Sequence, residues 1–186
     1  MSQRTVPDDA LLDAGRACVL AAGVRRTTMT DVARAADVSR MTLYRRFPDV
    51  TSLIQALMTR EFTALLARVE AEVATLPSAR ERLVEAAVLG VERLARDPLF
   101  ARIVELDPEL LLPYLTRRLG GFQHAVVAAF ERLLAAGAAD GSIAAPEPAL
   151  VAAALERVLR GFALQPRADL APQLRRLLDG YLAPAP

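Results

Sequence analysis

The run Arg40-Met41-Thr42-Leu43-Tyr44-Arg45-Arg46 places three guanidinium groups, a hydroxyl, a phenol and a thioether on seven consecutive residues. At helical spacing Leu43 and Phe47 share one side, which leaves Arg40, Met41, Thr42, Tyr44, Arg45 and Arg46 outside it. Groups of this kind bind rather than break bonds. Arginine pairs bidentately with guanine, threonine donates to bases or phosphates, and methionine touches a thymine methyl. A tyrosine hydroxyl reaches a phosphate oxygen. The same residues also fit a plainer role, with Met41 and Tyr44 as the core of a helical hairpin.

Catalytic chemistry has little to stand on. One histidine, His124, and one cysteine, Cys18, cannot supply a zinc site or a Cys–His pair. His124 lies beside Gln123 in an apolar helix and reads as a partly buried, hydrogen-bonded side chain. Glu70 and Glu72 read as a solvated face. No strand precedes a Gly-rich phosphate loop. The expectation is a protein that is not an enzyme and needs no metal or cofactor.

The elements that must position the basic run are helices. Apolar residues recur at helical spacing nearly throughout, so the fold class is all-α with about nine helices. The spacing predicts a first helix over 8–22, with Gly23 as its stop. Thr28 and Asp31 form a T-x-x-D version of the capping box for a second helix. Asp37 sits at the break, where Asp tolerates the left-handed backbone. Ser39 caps the third helix and Pro48 closes it. A long fourth helix follows from Thr51 or Ser52 to about Thr75. The fifth, 80–96, is apolar on nearly every side and is expected in the middle of the fold. Pro98, Pro108 and Pro113 cut the next stretch into short helices. Three more are expected at 122–136, 148–164 and 169–182. Residues 1–50 are read as a helix-turn-helix domain and 51–186 as a second helical domain, with the boundary at the fourth helix and no flexible linker.

Charge agrees with this division. The net charge is only +1, but residues 23–48 hold six arginines against two acids. A locally basic segment on a neutral chain fits a nucleic-acid reader, and equally an ordinary charged surface. All 23 basic residues are arginine, which with so much alanine reads as codon bias. At 53% hydrophobic the chain can bury a core, yet charges interrupt every apolar run before the roughly 18 residues of a membrane span. Asp8, Asp9 and Asp13 occupy the place of a signal peptide's basic flank and apolar stretch, so a soluble, cytoplasmic protein without a membrane partner is expected.

Two helices joined by a three-residue turn have the geometry in which the second helix enters the major groove. The stretch "TTMTDVARAADVSRMTLYRRFPDVTSL" resembles the DNA-binding segment of the TetR family of transcriptional regulators, and "LLDAGRACVLAAGV" is similar to the family's first helix. "DPLFARIVELDPELLLPYL" resembles one broad branch of it. Three positions depart: Asp37 stands where glycine is frequent, Val19 where an aromatic is usual, and Val50 where a lysine commonly meets a phosphate, a contact that is lost or passes to Thr51 and Ser52. The resemblance implies contact with double-stranded DNA, on a palindromic operator, through Thr28, Thr30, Ser39, Arg40, Met41, Thr42, Tyr44, Arg45 and Arg46. Arg40, Thr42 and Arg45 are expected nearer bases, and Thr28, Tyr44 and Arg46 nearer phosphates.

The resemblance also implies a homodimer through the last two long helices, and a pocket for a small apolar effector. "PALVAAALERVL" and "LAPQLRRLLDGYLAP" favour the first independently, because alanine permits close approach and leucines line one stripe. The expected interface is Ala153, Val158, Leu170, Leu174, Leu177, Leu178 and Tyr181; alternatively both helices simply cap the core of one subunit. The candidate pocket lining is Leu83, Ala87, Val91, Phe100, Ile103, Leu106, Leu110, Tyr114, Phe122, His124 and Val126, with Tyr114, His124 and Glu105 as polar anchors. Core packing accounts for these residues equally well. The reading is a ligand-responsive, homodimeric repressor; the alternative is an all-helical carrier or scaffold whose basic hairpin is incidental.

Overall fold

The computed structural model describes residues 7–110, 120–145, 147–164 and 170–184, with Leu110 by its backbone alone. Among them the regular elements are nine α-helices and one 3-10 turn, as the all-α expectation requires. In chain order they are α1 (Asp8–Ala22), α2 (Met29–Ala35), α3 (Arg40–Arg46), α4 (Val50–Val73), α5 (Ala79–Arg96), α6 (Pro98–Leu106), the 3-10 turn (Pro108–Leu110), α7 (Gly121–Asp140), α8 (Pro148–Leu164) and α9 (Ala171–Leu182). Pro113, Tyr114 and Asp169 lie outside the described residues. No described helix is long and apolar enough to cross a membrane.

The chain divides into two compact units, Met1–Glu61 with Asp97–Gly120, and Phe62–Arg96 with Gly121–Pro186. In the first, α1 packs on α2 and α6, and α2 packs on α3. Leu11 and Val19 of α1, Val32 of α2 and Leu43 of α3 are fully buried, as are Leu53 and Leu57 of α4 and Ile103 of α6. Burying each such side chain favours folding by about 1.5–3 kcal/mol, which short helices like α2 and α3 cannot obtain alone. Gly15 lets α4 come close, since a Cβ there would sit 2.8 Å from Leu53 Cδ2. Arg60 fastens the same pair of helices, donating to Asp13 Oδ1 at 2.7 Å and to the Asp9 carbonyl at 3.0 Å.

The ends of these helices follow local chemistry. Gly23 stops α1 at φ 83°, where a side chain would be strained and would also meet Leu106 Cδ1 at 2.9 Å. Asp37 takes φ 51° at the break between α2 and α3. The fourth helix starts one residue before the predicted Thr51. Asp49 Oδ1 accepts from the Ser52 amide at 2.7 Å, and the Asp49 amide donates to Ser52 Oγ at 3.3 Å, a reciprocal cap that includes Val50.

In the second unit α5 packs against α7, α8 and α9, the central placement its apolar sequence predicts. Leu83, Leu134, Leu155, Leu174 and Leu178 belong to its main core cluster. A smaller cluster joins Leu65, Val69 and Val73 of α4 to Ala86 of α5. The helix predicted over 122–136 runs on to Asp140. Gly137 is buried inside it because Ile143 packs where its side chain would be, and Gly137 accepts from the Ile143 amide at 3.1 Å.

Candidate nucleic-acid interface

The α2–α3 hairpin is set by its caps. Thr28 Oγ1 accepts from the Asp31 amide at 3.1 Å and donates its own proton to the Asp31 carboxylate. That bond is the main reason the Asp31 carboxyl is held below its usual range. Asp31 thus closes on the hydroxyl of Thr28, which is the difference from the reciprocal box read from the sequence. Ser39 Oγ accepts from the Thr42 amide at 3.1 Å and lies 2.9 Å from Thr42 Oγ1. One of these two hydroxyl protons is used between them, and the other remains for an outside acceptor.

With Leu43 and Phe47 buried, α3 turns Arg40, Met41, Tyr44, Arg45 and Arg46 to the outside, and Thr42 is half-buried. Met41 is 77% exposed and Tyr44 46% exposed, so neither fills a hairpin core. Ser39, Met41, Thr42, Tyr44 and Arg45 line an open depression of about 410 Å³. Thr28 and Thr30 are exposed at the start of α2, and Ser39 at the start of α3.

The arginines of the basic segment separate into two groups. Arg25 pairs with Glu109 at 2.6 Å, Arg34 with Asp31 at 3.5 Å and Arg46 with Asp8 at 3.2 Å. Arg26 donates to the Ala22 carbonyl at 2.8 Å. Arg40 and Arg45 have guanidinium groups with no partner among the described residues. They stand on either side of Met41 and Tyr44 on one short helix.

A carboxylate that the sequence did not single out holds the turn ahead of this hairpin. Asp107 is 1% exposed, and its Oδ2 accepts from the Val24 amide at 2.8 Å. Its Oδ1 accepts from the Arg25 amide at 3.2 Å. Thr27 closes the turn from the other side by donating to the Gly23 carbonyl at 2.8 Å. Only the separation of 83 residues hides this contact, because no local pattern marks an aspartate that bonds so far away. Of the two outcomes open for the phosphate contact at Val50, transfer to the Ser52 hydroxyl is disfavoured, because that hydroxyl's proton goes to the Asp49 carbonyl at 2.8 Å.

The remaining candidate residues fall as follows. Phe100 and Ile103 are buried in the first unit, where Leu106 and Glu105 are exposed. Leu83 and Ala87 lie in the core of the second unit, with Val91 and Val126 packed on it. Phe122 meets Phe62 edge to face, ring centres 5.5 Å apart. His124 is exposed on α7 rather than half-buried, because it points away from the face carrying Ala129 and Phe130. Tyr114 and the side chain of Leu110 lie outside the described residues. Of the expected interface, Leu174 and Leu178 are buried in the core of their own unit, Ala153, Val158 and Leu170 are half-buried, and Leu177 and Tyr181 are 47% and 53% exposed.

Residues 11–57, which hold α1 to α3 and the start of α4, match the model of a family described as bacterial regulatory proteins, tetR family. The chain is 30% identical over 180 residues to an uncharacterized HTH-type transcriptional regulator of Mycobacterium bovis, and the match covers 92% of each. It is 31% identical over 180 residues to one from Mycobacterium tuberculosis, again across 92% of both. Among solved structures, the TetR family repressor AlkX from Dietzia sp., implicated in biodegradation of n-alkanes, superposes with a TM-score of 0.70 at 24% identity, over 96% of this chain and 95% of that one. FadR from Bacillus subtilis, solved in complex with stearoyl-CoA, gives 0.65 at 16% identity, over 95% and 100%.

Proposed function

Because the chain belongs to the tetR family of bacterial regulatory proteins, we propose that it is a homodimeric repressor that a small apolar ligand releases from a palindromic operator. The observation that carries the DNA half of this reading is α3. A helix of seven residues leaves a phenol and a thioether exposed, beside two guanidinium groups that have no partner among the described residues. Arg40 and Arg45 are assigned to base edges. Tyr44, and Arg46 once it parts from Asp8, are assigned to phosphates. Thr42 with Ser39 contributes the one free hydroxyl proton. Thr28 has given its proton to Asp31, so its phosphate contact falls to backbone amides.

Dimerisation is proposed through α8 and α9. Leu150, Leu177 and Tyr181 are exposed there, and a second copy of the chain would supply the matching apolar face. Two α3 helices then read half-sites about one helical turn apart or a little more. The 24 residues of α4 belong partly to each unit, so the chain itself runs unbroken from the reading head into the second unit. Ligand and operator would weaken each other's binding equally, by about 1–3 kcal/mol. The FadR complex with stearoyl-CoA makes long-chain acyl-CoA the first ligand to try.

The test is retention on random duplex DNA, followed by selection of an operator and addition of acyl-CoA. Binding that falls steeply with salt, an enriched palindrome and its release by ligand support the reading. Flow-through at low salt overturns it.

A further inference from the structure

We propose that Met41 reads sequence, by covering the 5-methyl group of a pyrimidine in the major groove. The proposal rests on α3 being the DNA-contacting helix and names the chemistry it selects.

Met41 is more exposed than any other large apolar side chain among the described residues. Nothing in the fold needs it. Its neighbours Leu43 and Phe47 supply the inward contacts of α3, and alanine would serve the helix at least as well. A single exposed methionine is ordinary on a surface, but this one has unusual company. Arg40, without a partner among the described residues, precedes it, Arg45 follows one turn later, and the depression it lines with Tyr44 opens to solvent.

The other outward groups discriminate less. An arginine satisfies guanine and a phosphate oxygen alike. The hydroxyls of Ser39 and Thr42 are coupled to each other, and a hydroxyl accepts or donates to most base edges. A thioether has no such choice. The pyrimidine 5-methyl is the apolar group that the major groove displays, and only it removes water from Met41 without stranding a polar atom. The side chain's free torsions let it settle on that methyl wherever the arginines fix the helix. Thymine carries this group in ordinary DNA, and 5-methylcytosine carries it in methylated DNA.

The experiment uses the full chain and an operator enriched from random duplexes. Each thymine is replaced in turn by deoxyuridine, which removes only the methyl, and each cytosine by 5-methylcytosine, which adds one. Wild type should lose about fourfold in affinity when a single deoxyuridine is placed at one position in one half-site, the worth of one methyl removed from water. Alternatively it should gain about fourfold at one 5-methylcytosine, which would identify methylated cytosine as the source. Met41→Ala should bind paired duplexes with equal affinity. Methyl-insensitive binding by wild type, or an effect that persists in Met41→Ala, overturns the assignment of Met41 while leaving DNA recognition intact. Failure to enrich any duplex overturns both.

Discussion

At the scale of residues, function rests on which polar groups the fold has already used. Of six arginines in the basic segment, four are held by Glu109, Asp31, Asp8 or the Ala22 carbonyl. Arg40→Ala and Arg45→Ala should therefore each weaken operator binding by about 1–3 kcal/mol at fixed salt. Arg46→Ala should cost less, because its guanidinium is shared with Asp8. Asp8→Ala should raise affinity for every duplex at low salt, with less than about 1 kcal/mol change in stability. A fluorescence titration against operator and random duplexes checks all four. The outward set on α3 was legible from the spacing of Leu43 and Phe47 alone. The engagement of the Thr28 and Ser52 hydroxyls was not, since residue type gives the presence of a proton and not its destination.

At the scale of elements, caps and one distant carboxylate place the reading head. Asp107→Ala leaves the buried amide of Val24 and the partly buried amide of Arg25 without acceptors and should lower the urea midpoint by the equivalent of about 1–3 kcal/mol. Asp107→Asn keeps one acceptor oxygen and should lose less. Asp140 caps the start of α5 by accepting from the Ala79 amide at 2.9 Å, and its carboxyl is held low chiefly by Ser142. A carboxyl lowered by folding stabilises above its unfolded value of about 3.9, and that contribution is lost as pH falls through the folded value. Asp140→Asn should thus be less stable than wild type at neutral pH, and the gap should narrow as the pH falls below about 4. Urea melts at three pH values measure it. Helices α1 and α8 begin and end as their sequences read, because Gly23, Pro148 and local periodicity set them. Helix α7 runs four residues past the expected 136, to Asp140, because Gly137 stays helical and its missing side chain makes room for Ile143.

At the scale of the whole molecule, helix order follows from sequence, but the grouping of helices does not. No local pattern places Asp97–Gly120 in the same compact unit as α1 to α3; that follows from α6 packing on α1 and from Asp107 accepting from Val24 and Arg25. The leucine stripe expected on one face of α9 divides into two rows. Leu174, Leu178 and Leu182 form the inner row, and Leu177 and Tyr181 the outer. Leu177→Glu or Tyr181→Glu should leave the subunit folded and dissociate the proposed dimer, as read by sedimentation. Leu178→Glu should unfold it, because a lone charge would enter the core.

The central claim is that α3 reads a specific duplex, and the ratio of operator to random-duplex affinity at one salt concentration tests it most directly. Wild type should favour the selected operator by about a thousandfold or more. Arg40→Ala should reduce that ratio by about ten- to a hundredfold while its salt dependence stays nearly unchanged, because a base contact has been lost and not a phosphate contact. A wild-type ratio near one, or a ratio that Arg40→Ala leaves intact, would contradict the account.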